Sequence, residues 1–385
     1  MYGASESGVE FDAKLPRYIR ITDIRPDGTL DPDKAVSLPR NTALPYLLTD
    51  RDILLARSGA TVGKAFLYRS DGDEACFAGY LIRARCDQRR MLAEYLAYYL
   101  QSAGYWDFIN SSALQATIQN VSAELYKEIL VTHPSVEQQK KVVAYLDEQT
   151  RKIDQLMNMR RRQMALLKEQ RAAVIQEAVT RGLNPNVPMK DSGLLWVGKI
   201  PAYWEVKRLK YVCKVTTGSK DTVDADDDGI YPFFVRSQII ERIGSFSFDG
   251  EAVLTAGDGA GVGKVFHHHV GKFDFHQRVY MLYDFKGILG RFVFHYLKEN
   301  FYKVALEGGA KSTVDSLRMP VFLNFGITIP PIDEQKEIMG FIESESAKTE
   351  HLLSAYTRQL ELMTEYRAAL IHECVTGQRT VPETV

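Results

Sequence analysis

Apolar positions along this chain keep short periods in two stretches and a long one in two others. Over 1–133, β-like runs (YIRITDI at 18–24, DILLA at 52–56, YLIRARC at 80–86) mix with a helix-like run at 91–102. Gly and Pro punctuate them. Over 187–329 the same texture returns: RLKYVCKV at 208–215, YPFFVRS at 231–237, AVLTA at 252–256, RVYMLYD at 278–284, then helical GRFVFHYLKENF at 290–301. Each stretch ends in an extended Pro-containing segment, 131–136 and 327–332, and a long polar helix follows. Pro suits a helix start, and Glu137, Asp333 and Glu334 suit its positive end.

The long helices carry only a narrow apolar stripe. Leu146, Ile153, Leu167 and Val174 stand on a seven-residue ladder, interrupted by Arg160, with Leu156 on a companion seam. Ile342, Thr349, Tyr356, Met363 and Leu370 form the matching ladder, with Leu352 alongside. This heptad seam with polar intrusions predicts two helices of roughly 45 residues, ~65 Å each, packed as an antiparallel coiled-coil spacer. Arg181-Gly182-Leu183-Asn184-Pro185 stops the first.

The two halves are copies. Residues 134–180 align without a gap to 330–376, with 16 of 47 positions identical at an offset of 196. Residues 52–66 echo 252–266 at an offset of 200, with 8 of 15 identical. The order is module, helix, module, helix, a duplicated domain pair. Similar halves suit a pseudo-two-fold arrangement and a target with two parts. The fold class expected is α+β: two duplicated α/β modules separated by two long helices. The boundaries are 1–133, 134–186, 187–329 and 330–385.

Composition is globular, with 45% hydrophobic and 25% charged residues, and net charge is −1. That balance disfavours a broad nucleic-acid surface, but charge is segregated. Asp221, Asp224, Asp226, Asp227 and Asp228 form an acidic loop; Arg151, Lys152, Arg160, Arg161, Arg162 and Lys168 lie along one helix. Cys76, Cys86, Cys213 and Cys374 have neither zinc nor redox spacing and suit reduced thiols of a cytoplasmic protein. No signal peptide or membrane span is expected.

The glycine turns are not nucleotide loops. Gly59 to Lys64 and Gly259 to Lys264 have three residues between the glycines and no hydroxyl residue after the lysine. They read as shaped turns with one lysine each, able to meet a phosphate. His267-His268-His269 alternate faces on a strand, so no metal site is expected. No methylation, cofactor or nuclease motif is present, and the chain is expected to be non-catalytic.

Donor-rich side chains beside the strands fit base edges and phosphates. In the first module the DNA-binding candidates are Arg20, Arg57, Ser58, Thr61, Lys64, Gln115, Thr117, Gln119 and Asn120. In the second they are Arg236, Ser237, Gln238, Lys264, Gln277, Arg278, Lys311, Ser312 and Thr313.

Three sets of residues carry a family resemblance. DSGLLWVGKIPAYWEVKRLKYV at 191–212 resembles the opening of a target-recognition domain in type I restriction–modification specificity subunits. The two strand–glycine-turn segments and the proline-to-helix junctions at 134 and 330 are similar to that family's recurring elements. The resemblance covers nearly the whole chain. It implies two target-recognition domains, each reading one half of a bipartite double-stranded DNA site, with the coiled coil fixing the gap. It also implies docking to two methylation subunits and, through them, restriction subunits. S-adenosylmethionine, ATP and Mg would act in those partners, and none is expected in this chain. A second function class, a scaffold of the same fold binding protein only, is distinguished by DNA bandshift with and without methylation subunits.

One departure stands out. The second module has about 30 residues (187–217) before the point matching Tyr2-Gly3, and the first has no counterpart to Trp196, Trp204 and Leu209. The expectation is either a late start or a first domain lacking its leading strand.

Overall fold

The computed structural model describes residues 1–25, 28–113, 120–307 and 317–382. The chain forms two compact units. The first unit holds Met1–Arg161 and Thr357–Val385; the second holds Arg162–Tyr356. The long helices are Val136–Arg181 and Ile332–Val375, and each contributes one segment to each unit.

In the second unit a six-stranded sheet runs in the order Lys214–Thr217, Val279–Tyr283, Phe248–Ala256, Phe266–Phe275, Tyr231–Phe234, Glu241–Ile243. Neighbours pair antiparallel, except that Phe233 and Phe234 run parallel to Asp274 and Phe275. The helix Gly290–Glu307 buries Phe292, Val293, Tyr296, Leu297 and Phe301 in the same cluster as Val253, Phe266 and Leu282. The expected strand at 208–215 is broken. Arg208 ends one strand, Leu209–Tyr211 form a 3-10 turn, and a second strand starts at Lys214.

The first unit divides that sheet in two. Ala65–Leu67, Ile53–Ala56 and Leu81–Ala84 form one sheet; Val9–Glu10, Val36–Ser37, Arg17–Ile19 and Ala75–Phe77 form the other. Where the second unit runs one strand from Phe266 to Phe275, the first has two short ones, joined through Tyr68–Glu74. The expected run at 18–24 likewise stops at Ile19. Asp23 accepts from the Arg20 backbone and side chain and folds Ile21–Asp23 into a 3-10 turn. Gly3 and Gly218 occupy matching places: a Cβ there would meet the Phe77 carbonyl oxygen at 2.3 Å or the Phe275 carbonyl oxygen at 1.9 Å.

Within each unit the long-helix segments run antiparallel. In the first unit Arg367 Nε donates to Asp154 Oδ1 at 3.0 Å, and Arg379 bonds Tyr145. In the second, Arg171 Nη1 meets Glu350 Oε1 at 2.9 Å, while Gly182 lies beside Glu334. Leu146, Ile153, Ile342 and Leu370 are buried as the heptad ladder requires, and Met363 packs in part on the cluster of Leu146, Ile153 and Leu370. Leu167, Val174 and Tyr356 are half-buried. Leu156 and Leu352 correct the expectation: they are 47% and 40% exposed. At 3.6 residues per turn the companion position after Leu146 and Ile153 falls four residues on, at buried Thr150 and Met157. The first helix stops as expected, with Gly182 at φ +76° and its N–H bonded to the Ala178 carbonyl. No described helix is long and apolar enough to cross a membrane.

Candidate DNA interface

Each glycine turn is a strand end folded back on itself. In the first unit Ile53–Ala56 leads through Arg57 and Ser58 into a 3-10 turn, Gly59–Thr61. Gly59 and Gly63 take φ +76° and +85°, a region L side chains avoid. The Val62, Gly63 and Lys64 N–H groups bond to Gly59, Ala56 and Thr61 carbonyls. In the second unit Val262, Lys264 and Val265 are held in the same manner by Gly259 and Gly261. Those N–H groups are consumed within the turn, and the side chains of Lys64 and Lys264 stand exposed on it.

The segment that follows each donor-rich loop docks at this turn. Val121 N–H donates to the Arg57 carbonyl at 2.8 Å, and Leu317 N–H donates to the Gly257 carbonyl at 2.9 Å. Arg57 and Gly257 in turn donate to the carbonyls of Tyr80 and Arg278. Gln115, Thr117 and Gln119, and likewise Lys311, Ser312 and Thr313, lie outside the described residues.

In the second unit Asp258 organises the turn. Its side chain is 8% exposed and accepts from Arg236 Nη1 at 2.9 Å and Arg278 Nη1 at 2.5 Å. Burial pushes its carboxyl up, but the hydrogen bonds and charges of Arg278 and Arg236 outweigh that and hold it below its ordinary value. Each guanidinium carries five N–H donors, so donors remain at the exposed faces of both arginines. Gln238 Nε2 bonds the Lys264 carbonyl at 2.9 Å, tying its loop to the turn. Arg236, Gln238, Lys264 and Arg278 are thus brought together. Ser237 is used internally: its hydroxyl bonds the Ile239 carbonyl, and its own carbonyl faces His267 Nε2. Gln277 bonds Asp221 Oδ2 at 2.6 Å, which anchors the start of the acidic loop.

The first unit builds the place differently. Arg57 Nε donates to Asn120 Oδ1 at 3.3 Å, and its guanidinium lies 4.8 Å over the Tyr2 ring. Ser58 pairs with Asn120 as a β-bridge, and half-buried Thr61 sits in the turn. Arg57, Ser58, Thr61, Lys64 and Asn120 are brought together. Arg20 is held locally by Asp23 and the Lys34 carbonyl. The sequence reading missed Asp258; its only signal is a carboxylate between Gly257 and Gly259, where the first module has Ser58.

The three histidines have separate partners. His267 meets the Ser237 carbonyl, His268 meets Glu251 Oε1, and the His269 ring packs on Phe234 and Phe273.

Residues 201–361 match the family model for the type I restriction modification DNA specificity domain. The chain is similar to the type I restriction enzyme EcoDI specificity subunit of Escherichia coli, at 30% identity over 183 residues. That alignment spans 48% of this chain and 40% of the relative. It is also similar to the MjaVIII specificity subunit of Methanocaldococcus jannaschii, at 21% identity over 86% of this chain and 80% of the relative. Two solved structures share the fold. One comes from work on complex assembly and conformational transition of the type I R-M system: TM-score 0.73, 15% identity, covering 93% of this chain and 90% of that one. The other is the HsdS subunit from Thermoanaerobacter tengcongensis: TM-score 0.52, 15% identity, covering 94% and 90%. The chain thus carries a match to the type I restriction modification DNA specificity domain over 201–361, spans under half the length of the first of these relatives, and shares its fold with the two solved structures.

Proposed function

We propose that this chain is the non-catalytic DNA-recognition subunit of a type I restriction–modification complex. Each module would present its glycine-turn cluster to one half of a bipartite duplex target. What carries the reading is a cation-and-amide cluster at the same strand end in both modules: Arg57, Lys64 and Asn120 in one, Arg236, Gln238, Lys264 and Arg278 in the other. Arginine and amide side chains match guanine and adenine edges, while the lysines match phosphates. The loops with Gln115, Thr117 and Gln119, and with Lys311, Ser312 and Thr313, would complete each reading surface.

The long helices would set the gap between half-sites and, with the flanking module faces, dock two methylation subunits and through them restriction subunits. S-adenosylmethionine, ATP and Mg would then serve those partners. The test is binding of the assembled complex to duplexes with each half-site scrambled in turn. Alanine at 115, 117 and 119 should cost one half-site, and alanine at 311–313 the other. Each lost bidentate contact is worth roughly 1–3 kcal/mol, so a triple change costs about a hundredfold or more. Parallel loss at both half-sites, with a lowered melting temperature, would show that the loops are structural.

A further inference from the structure

A short turn beside each glycine turn is built alike in the two units. In the second unit it is His276-Gln277-Arg278, in the first Ala78-Gly79-Tyr80. His276 N–H donates to the Phe234 carbonyl and Ala78 N–H to that of Ile19, both at 3.0 Å. Gln277 N–H donates to the Lys220 carbonyl at 2.7 Å, and Gly79 N–H to that of Ala4 at 2.6 Å. Val279 N–H closes its turn on the His276 carbonyl as Leu81 N–H does on that of Ala78, both at 2.9 Å. The fourth matching bond comes from the glycine turn itself: Gly257 donates to the Arg278 carbonyl, and Arg57 to that of Tyr80. Val279 then pairs with Ala256 as Leu81 pairs with Ala56. Bonds and register together place Tyr80 where the second unit has Arg278.

The side chains at this shared place differ in kind. Arg278 is 62% exposed and spends Nη1 on Asp258, which leaves the parallel donors of its Nε–Nη2 edge clear of that carboxylate. Such an edge matches guanine O6 and N7. Tyr80 is 68% exposed. At the place of Asp258 the first unit has Ser58, and residues 57–64 contain no carboxylate to brace an arginine. An aromatic ring needs no such brace. In the major groove it matches the methyl group that, among the four bases, only thymine carries. Arg57, bonded to Tyr80 through the backbone, also donates to Asn120, so the ring belongs to the same strand end as the first unit's cation-and-amide cluster.

We propose that Tyr80 and Arg278 are matching base-reading residues, and that they make the two half-sites differ at one matching base pair. Tyr80 reads thymine through its methyl group; Arg278 reads guanine. This inference rests on the DNA-recognition reading of the two modules and adds Tyr80 to the reading surface.

The test selects bound duplexes from a random pool with the assembled complex, unchanged or carrying Tyr80→Ala, Tyr80→Phe or Arg278→Ala in this chain. Tyr80→Ala should erase the preference for one thymine in one half-site and leave the other half-site as it was. Tyr80→Phe should keep that preference, since the ring and not the hydroxyl meets the methyl. Uracil in place of that thymine should weaken the unchanged complex about threefold or more, and the Tyr80→Ala complex not at all. Arg278→Ala should cost about fivefold or more at a guanine of the other half-site. Binding retained through the untouched half-site shows that each variant folds and assembles. Base preferences left unchanged by Tyr80→Ala, or by Arg278→Ala, overturn the proposal. So does an equal loss on all sequences, which would assign the ring to the DNA backbone, or a loss of assembly, which would assign it to a partner subunit. An unchanged complex that selects no sequence at all sinks the recognition reading itself, and this inference with it.

Discussion

Gln139 and Gln335, 196 positions apart, make the same three bonds in their two units. Each is fully buried on the first turns of a long helix. Each accepts from the first N–H groups of a module helix, Leu92 or Leu289, at 2.8 Å. Each donates to a proline carbonyl, Pro134 or Pro330, and to a loop carbonyl, Arg90 or Gly287. One amide thereby joins module, junction and long helix.

Gln335→Ala should therefore strand one buried N–H and two carbonyls at once. The expected loss is about 3 kcal/mol, since each unsatisfied buried group costs about 1–3 kcal/mol before relaxation. Urea unfolding measures it, and Gln139→Ala should lose a similar amount. A change below about 0.5 kcal/mol would mean water replaces the amide.

Asp258→Ala should release Arg236 and Arg278 from their shared carboxylate. Binding to the half-site read by the second module should fall about tenfold or more, because unrestrained guanidinium groups lose order on binding. The other half-site should be unaffected. Fluorescence anisotropy on duplexes with one half-site scrambled distinguishes the two; equal loss on both would refute a local role.

Lys64→Ala and Lys264→Ala should act on phosphates. Each should weaken all sequences alike and lower the salt slope by about one. Titration at several salt concentrations reads the slope, and a sequence-dependent loss would instead assign the lysine to a base.

His295 makes the second unit acid-sensitive. Burial, then the charges of Lys298, Arg171, His268 and Arg291, push its imidazole down to about 4. The folded chain keeps it neutral while the unfolded chain takes up a proton below the ordinary 6.5. Its contribution is whole above 6.5 and is lost as pH falls towards 4. The loss is about 2 kcal/mol by pH 5, from about 1.4 kcal/mol per unit. His295→Phe should flatten this part of the profile, as denaturant midpoints at pH 7.5 and 5 would reveal.

The duplication was legible because a repeat at constant offset survives any local propensity. It located both long helices and both glycine turns. Leu156 and Leu352 misled because a strict seven-residue repeat ignores the drift of a 3.6-residue helix, so Met157 took the buried place. Gln139 and Gln335 were hidden in polar runs (EQQKK and DEQKE), where a buried amide looks like its solvated neighbours. Asp258 carries no pattern of its own. Its partners, 22 positions before it and 20 after it, meet only when the sheet closes.

The two units also differ in how the ribosome can deliver them. The second is one unbroken stretch, Arg162–Tyr356, and can begin to fold once its last residues emerge. The first is assembled from both ends of the chain. Tyr95 donates its hydroxyl proton to the Val375 carbonyl, across 280 positions, and Val381 is buried in the same cluster. The module made first must therefore wait for residues made last, and losing Thr357–Val385 would cripple the first unit while sparing the second.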